Sequence, residues 1–85
     1  MTTNKDIAKL LREKNYPHVR ALKDGTVEIK RSYFYTMGRT PEKLAESAKQ
    51  VCEDAGLKVE ITDTKDQYRS WPKTSYHVAY LRPID

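Results

Sequence analysis

The chain has 85 residues, of which 38% are hydrophobic and 33% are charged, and its formal net charge at pH 7 is +4. A chain of this length forms a single domain, 1–85, and buries only roughly 60 to 65% of the surface that its unfolded form exposes. Cys52 is the only cysteine, which excludes an internal disulfide and a cysteine-ligated metal site. Because no apolar run is long enough to span a bilayer and no leader with a cleavage site is present, we expect a cytoplasmic protein without membrane partners.

The positive charge is concentrated in the first half of the chain. Residues 1–40 hold nine Lys or Arg against four Asp or Glu, residues 41–62 three against five, and residues 63–85 four against three. Scattered basic side chains are usually a solvated surface, although a basic excess also favours an anionic partner.

A short helix is predicted near the N-terminus. Thr3 or Asn4 can cap its first turn, and Asp6 lies where the helix dipole favours an acid. We expect the helix to end near Asn15, because Pro17 steers the residue before it toward extended backbone. Helical spacing predicts a buried face that consists of Ile7, Leu10, Leu11 and the stem of Lys14.

A hairpin follows, with its turn at Gly25. A two-residue turn would mix apolar and charged residues on each side of the ribbon. A three-residue turn over residues 23–25, with Gly25 in the left-handed region, separates them onto two faces. We therefore predict the pairs Ala21 with Val27, Val19 with Ile29, and Arg20 with Glu28.

The second strand continues through an aromatic run, and its register there has two interpretations. Strict alternation turns Arg31, Tyr33 and Tyr35 toward the core and leaves Phe34 outside. A bulge near residues 31–32 buries Phe34 and exposes both tyrosines. Either register places an aromatic ring on the second face of the sheet, where it can stack on bases or be covered by a loop or a partner subunit.

A second helix is predicted to start at Thr40, a capping hydroxyl that is followed by a proline and an acid. Gly56 supplies a left-handed stop. The predicted buried stripe consists of Leu44, Ala48, Val51, Cys52 and Ala55. We interpret Cys52 as a small buried apolar residue rather than a nucleophile, because no histidine is near it in sequence and burial raises a thiol pKa.

Two further strands are predicted in the second half. Leu57, Val59 and Ile61 alternate with charged residues and predict a third strand with one face on the core. Residues 76–82 predict a fourth strand that is central, because both of its sides carry bulky residues. Its two sides consist of Tyr76, Val78 and Tyr80, and of His77, Ala79 and Leu81.

Residues 63–75 are predicted to form a long connection between these strands. Loops of this length in small domains are usually functional or disordered. Trp71 has two interpretations: an anchor at an interface, flanked by donors for phosphate or carboxylate, or a core residue folded back over the sheet. The basic and aromatic residues of the connection are Lys65, Tyr68, Arg69, Trp71 and Lys73.

These elements predict an α+β domain with the order α-β-β-α-β-β. We expect a four-stranded, mostly antiparallel sheet with two helices on one face. The second helix is expected to make a right-handed crossover between strands two and three. These two strands run parallel if they are neighbours or enclose another strand.

No catalytic or metal-binding constellation is predicted, and no cofactor is expected. His18 and His77 are far apart in the sequence, and no glycine-rich phosphate loop is present. Residues 5–31 resemble the beginning of the interferase toxins with a double-stranded-RNA-binding-like fold. Those toxins carry a histidine after a glycine on the second strand, whereas Gly25 is followed here by Thr26 and Val27. No catalytic residue carries over, and a small ribonuclease is the least favoured function.

The whole chain resembles short uncharacterised accessory proteins of tailed bacteriophages and prophages. The similar segments are residues 25–35, the capped helix start at 40–44, and residues 70–76. The resemblance implies a protein that binds a host or viral macromolecule in the cytoplasm of the host cell.

Two functions of different class are therefore predicted for a non-enzymatic binding protein. The first is nucleic-acid binding through a basic, aromatic sheet face and loop. The second is binding or inhibition of a host protein through the same surface, with a homodimer included. The candidate phosphate contacts are Lys30, Arg31, Arg39, Arg69 and Lys73. The candidate aromatic contacts are Tyr33, Phe34, Tyr35, Tyr68 and Trp71.

Overall fold

The predicted α+β order α-β-β-α-β-β is confirmed in a computed structural model of the chain. The structure describes residues 2–16, 18–33, 40–70 and 73–84, without the side chains of 32–33, 68–70 and 73–75. The elements are α1 (Asn4–Glu13), β1 (Val19–Ala21), β2 (Val27–Tyr33), α2 (Pro41–Asp54), β3 (Val59–Ser70) and β4 (Lys73–Pro83).

The four strands form one sheet in the order β1-β2-β4-β3, and every neighbouring pair is antiparallel. The prediction that β4 is central is confirmed, since it lies between β2 and β3. Strands β2 and β3 therefore run in the same direction with β4 between them. Strands β1 and β3 are the two edges of the sheet.

The predicted register of the first hairpin is confirmed at all three pairs. Val19 pairs with Ile29, Arg20 with Glu28 and Ala21 with Val27. Gly25 has a φ of +92°, and the Leu22 amide donates to the Thr26 carbonyl across the three-residue turn at 2.9 Å. Hydrogen bonds from the Thr26 hydroxyl and amide to the Asp24 carboxylate lower the pKa of Asp24 and hold the turn closed.

Helix α1 begins with a capping box and is tied to the first hairpin. The Thr3 hydroxyl accepts the Asp6 amide, and the Asp6 carboxylate accepts the Thr3 amide. The Asn4 side-chain amide donates to the carbonyls of Leu22 at 2.7 Å and Thr26 at 3.0 Å. The first turn of the helix is therefore fixed against the hairpin by a side chain as well as by apolar packing.

Helix α2 begins and ends where the sequence predicts. The Thr40 hydroxyl accepts the Lys43 amide at 3.2 Å, and Pro41 occupies the first turn. Gly56 has a φ of +85°, and the Leu57 amide donates to the Cys52 carbonyl at 2.8 Å. This pattern is the left-handed helix stop that glycine favours.

The core lies between the two helices and one face of the sheet. The predicted burial of Ala55 is wrong, because it caps the C-terminus of α2 and is exposed. Ala8 and Ala45 are also buried, although they are not among the predicted core residues. Small residues at these positions let each helix approach its neighbours closely. The buried cluster consists of Ile7, Ala8, Leu11, Val19, Val27, Ile29, Leu44, Ala45, Ala48, Cys52, Val59, Ala79 and Leu81.

The predicted long connection over residues 63–75 is wrong. Strand β3 continues to Ser70 and β4 begins at Lys73, so only residues 71–72 separate the two strands. Residues 63–70 lack apolar alternation, because β3 is an edge strand that contributes no described apolar side chain to the core beyond Ile61. Alternation marks a strand that buries one face, and a polar strand can form through backbone pairing without it.

A bulge is present, but in β3 rather than near residues 31–32. Strand β2 pairs with β4 without interruption from Val27 to Tyr33. In β3 the register shifts between Ile61 and Asp63, so that Thr62 is the extra residue. The predicted burial of Ile61 is also only partial, with 36% of its surface exposed.

Neither helix in the described part of the chain is long and apolar enough to cross a membrane.

Asn4→Ala should lower the free energy of unfolding by about 1 to 2 kcal/mol, because it removes two partly buried hydrogen bonds, although each carbonyl keeps a backbone amide as donor. Gln50→Ala is the matched control, since the Gln50 amide bonds only the exposed Asp54 carboxylate on the same helix. We expect this control to change stability by less than about 0.5 kcal/mol. Urea denaturation measures the free energy of unfolding of both variants. Equal losses would show that the hydrogen bonds from Asn4 to the hairpin do not stabilise the fold.

Candidate nucleic-acid interface

Both helices pack on one face of the sheet, and no helix of the described residues lies on the opposite face. The strand register determines which residues lie on that second face, which we call the open face. Its described residues are Arg20, Glu28, Lys30, Glu60, Asp63, Lys65, Gln67, Tyr76, Val78, Tyr80 and Arg82.

Three alternating residues of β4 run along the middle of the open face: Tyr76, Val78 and Tyr80. Both tyrosines are half-buried. Val78 has no exposed surface, although it is not part of the core cluster on the helix side. Something on the open face itself must therefore cover it.

Two lysines flank Val78 on this face. Lys30 of β2 and Lys65 of β3 are its two cross-strand partners. Long lysine side chains can lay their apolar stems along such a residue and keep the ammonium group in water. The open face thus has an apolar centre with a cation on each side and a tyrosine at each end.

Tyr80 is held in place by two neighbours. Its hydroxyl donates to Glu28 Oε2 at 3.0 Å, and the Lys65 Nζ lies 5.6 Å from the centroid of its ring. Burial, followed by the hydrogen bond to Glu28, raises the pKa of Tyr80 above its usual value. The phenol therefore stays protonated at neutral pH and remains a donor.

The bulge at Thr62 brings Lys65 to the open face. Successive residues of a strand point to opposite faces, so one extra residue exchanges the two sets. Without it, Asp63 and Lys65 would follow Val59 and Ile61 onto the helix side. With it, Lys65 pairs with Val78, and its ammonium group reaches the Tyr80 ring.

Acidic residues on the open face partly balance its cations. Glu28 Oε1 lies 3.9 Å from Lys30 Nζ, and Glu60 accepts a hydrogen bond from Arg82. Arg20 is the cross-strand partner of Glu28. The face is therefore mixed in charge, with its basic and aromatic groups nearest to Val78.

The predicted site residues do not all lie on this face. Lys30 does, but Arg31 follows it in β2 and lies on the helix side, opposite His77. Tyr33, Tyr68, Arg69 and Lys73 lie in the paired strands, where the structure describes their backbone and not their side chains. The remaining predicted residues, Phe34, Tyr35, Arg39 and Trp71, lie outside the described residues.

The tyrosines of β4 and Lys65 were missed as candidate site residues. The alternation of Tyr76, Val78 and Tyr80 in the sequence already places them on one side of a strand. In the predicted elements they belong to a two-sided central strand, and Lys65 lies in a loop. A polar edge strand with a bulge was the missing element.

No group of three or more metal-ligating side chains is present among the described residues. Cys52 is fully buried in the core, as predicted, and burial raises its pKa to about 11. Its thiol is therefore mostly in the neutral form at physiological pH, and the reactive thiolate is scarce.

Comparison with known proteins found no matching family model, no matching curated protein and no matching solved structure. The resemblance to phage accessory proteins therefore stays a prediction.

Because the Cys52 thiol is buried and its pKa is raised, we expect a disulfide reagent at pH 8 to label the folded protein very slowly. Unfolding in urea exposes the thiol and returns its pKa to the ordinary range, so labelling should then be fast. The time course of thiol release in the two conditions measures this difference. Fast labelling of the folded protein would contradict a purely structural role for Cys52.

Proposed function

We propose that this protein binds single-stranded nucleic acid on the open face of its sheet. The observation that carries the proposal is the arrangement around Val78, where two half-buried tyrosines lie along β4 and a lysine lies on each side. A free thiol in the core agrees with a reducing compartment, and we propose a cytoplasmic location.

The two tyrosines supply surfaces for stacking. Tyr76 and Tyr80 are four residues apart in one strand, which separates them by roughly 13 Å. Each can therefore accept a different base. Sheet-based RNA-binding proteins use aromatic residues on an open face in this way, because unstacked bases of single strands can lie flat on them. Tyr80 is already held by Glu28, so little ordering is needed when a base binds.

The lysines supply contacts for phosphates. Lys65 is exposed, and its ammonium group lies over the Tyr80 ring. A base that stacks on this ring displaces the ammonium group toward the backbone of the nucleic acid. Lys30 lies on the other side of Val78 and reaches the same bound strand. Binding thus combines sequence-tolerant stacking with a small number of ionic contacts.

Acids on the open face favour one alternative, a protein partner with a surface of mixed charge. Glu28, Glu60 and Asp63 lie among the cations. Affinity capture from the native host, with and without nuclease, separates the two. Loss of the captured material after nuclease supports nucleic-acid binding, whereas a protein that remains, or a second copy of this chain, supports the alternative.

Tyr76→Ala and Tyr80→Ala should each weaken binding of a labelled single-stranded oligonucleotide by about 5- to 150-fold, because a stacked base contributes about 1 to 3 kcal/mol. Tyr80→Phe is the matched control, since it removes only the hydrogen bond to Glu28 and keeps the ring. We expect it to bind within about threefold of the unchanged protein. Fluorescence anisotropy measures all three, and unchanged affinity in both alanine variants would refute the proposal.

Lys30→Gln and Lys65→Gln should each reduce the dependence of affinity on salt. Each phosphate contact to a single strand contributes about 0.7 to the slope of log K against log salt. Lys9→Gln makes the same change in net charge on the outer side of α1, where Lys9 is exposed, and should leave the slope unchanged. Anisotropy titrations at four or five salt concentrations give the slopes. A smaller slope in all three variants would mean that binding responds only to the net charge of the protein.

A further inference from the structure

A row of three polar side chains crosses the helix side of the sheet where the core ends. Arg31 of β2, His77 of β4 and Asp66 of β3 are direct cross-strand neighbours. The next row toward the core contains Ile29 and Ala79, which are fully buried. The sheet thus changes from apolar to ionisable residues within one row.

His77 is the buried member of this row. Only 3% of its surface is exposed, and its Nδ1–H donates to Asp66 Oδ1 at 2.7 Å. A carboxylate in this position fixes the tautomer and the orientation of an imidazole ring. Asp66 itself is mostly exposed, with a side-chain exposure of 59%. Burial of a histidine costs more free energy than burial of an apolar residue. Packing alone therefore does not explain why polar side chains occupy this row.

Two members of this row, Arg31 and His77, form the floor of a cleft under α2. Arg31 and His77 line the cleft from the sheet, and Lys43, Leu44 and Ser47 line it from the helix, beside Thr40. Its volume is about 260 Å³. Pockets that enclose drug-sized ligands have roughly 300 to 1,000 Å³. This cleft is therefore suited to a small ligand or to one group of a larger one.

The described lining of the cleft contains two basic side chains and no carboxylate. Arg31 brings a planar guanidinium group, which matches two oxygens of a phosphate at once. Lys43 brings a compact ammonium group from the opposite wall. Ser47 shares a hydrogen bond of 2.6 Å with the Tyr16 hydroxyl. When Tyr16 donates in this bond, Ser47 keeps its own hydrogen for a ligand.

We infer that this cleft, lined by Arg31, Lys43, Ser47 and His77, binds a phosphate group. Arg31 and Lys43 neutralise the charge of the oxyanion, and Ser47 donates to it from α2. His77 forms the floor, with its ring held by Asp66. The ligand is either a small phosphate anion or the terminal phosphate of a nucleic acid.

This site is separate from the open face, because Arg31 and His77 lie on the other side of the sheet. Its occupancy does not depend on the stacking of bases on Tyr76 or Tyr80. The two proposals can therefore fail independently.

The test is a titration of ¹⁵N-labelled protein with sodium phosphate, followed by amide NMR at pH 7. Sodium chloride keeps the ionic strength constant. We expect saturable shifts at residues 31, 43–47 and 77. Arg31→Gln and Lys43→Gln should each weaken phosphate affinity at least about 10-fold, since a hydrogen bond to a charged group contributes about 1.5 to 3 kcal/mol. Lys9→Gln, with the same change in net charge, should stay within about twofold.

Several results overturn the inference. Shifts that stay linear both with inorganic phosphate and with the phosphorylated dinucleotide described below show that the cleft does not bind a phosphate group. Shifts that persist in both cleft variants, or that Lys9→Gln weakens equally, show the same. The amide spectrum of each variant shows whether it is folded. Lys43 is exposed on α2, so Lys43→Gln keeps the test decisive if Arg31→Gln does not fold.

A second titration identifies the source of the phosphate. It compares a dinucleotide with a 5′-phosphate and the same dinucleotide with a 5′-hydroxyl. Saturation by inorganic phosphate alone supports a small anion, and saturation by the phosphorylated dinucleotide alone supports the end of a nucleic acid. If neither saturates the cleft, the inference is wrong.

Discussion

Strand β4 lies between β2 and β3, and the pairing on its two sides decides what each face of the sheet presents. Along β2 the register is continuous, so the alternation of β4 is matched residue by residue. Along β3 it shifts once, at Thr62. This shift lets Val59 pack in the core while Lys65, six residues later, lies on the open face. A single extra residue therefore separates the part of β3 that stabilises the fold from the part that forms a surface.

The open face shows how a small domain can bury an apolar residue without a second layer. Val78 has no exposed surface, although neither described helix lies on that side. Lys30 and Lys65 pair with it from the two neighbouring strands. Lysine stems in such positions can pack on an apolar residue while their ammonium groups stay in water. The cations that a nucleic acid would contact therefore flank the apolar centre of the face.

On the helix side of the sheet, β4 passes from apolar residues to a polar one. Leu81 and Ala79 lie in the core, and His77 lies at its border. Helix α2 continues over this border and is anchored to β3 there, because the Thr64 hydroxyl donates to Glu42 Oε1 at 3.2 Å. Polar residues on both layers therefore face one another across a cleft instead of closing into a core. The domain has two candidate surfaces, one on each side of the sheet, and β4 contributes residues to both.

The elements whose signals are local can be read from the order of the amino acids. The capped start at Thr40, the left-handed residues Gly25 and Gly56 and the hairpin register follow from backbone geometry and from which side chains can share a face. The edge strand over residues 63–70 and the contact between Asp66 and His77 became visible only in the folded chain. Neither leaves a local signal, because a polar strand has no apolar alternation and pairs with the next strand through backbone hydrogen bonds. The two side chains meet only when that pairing is formed.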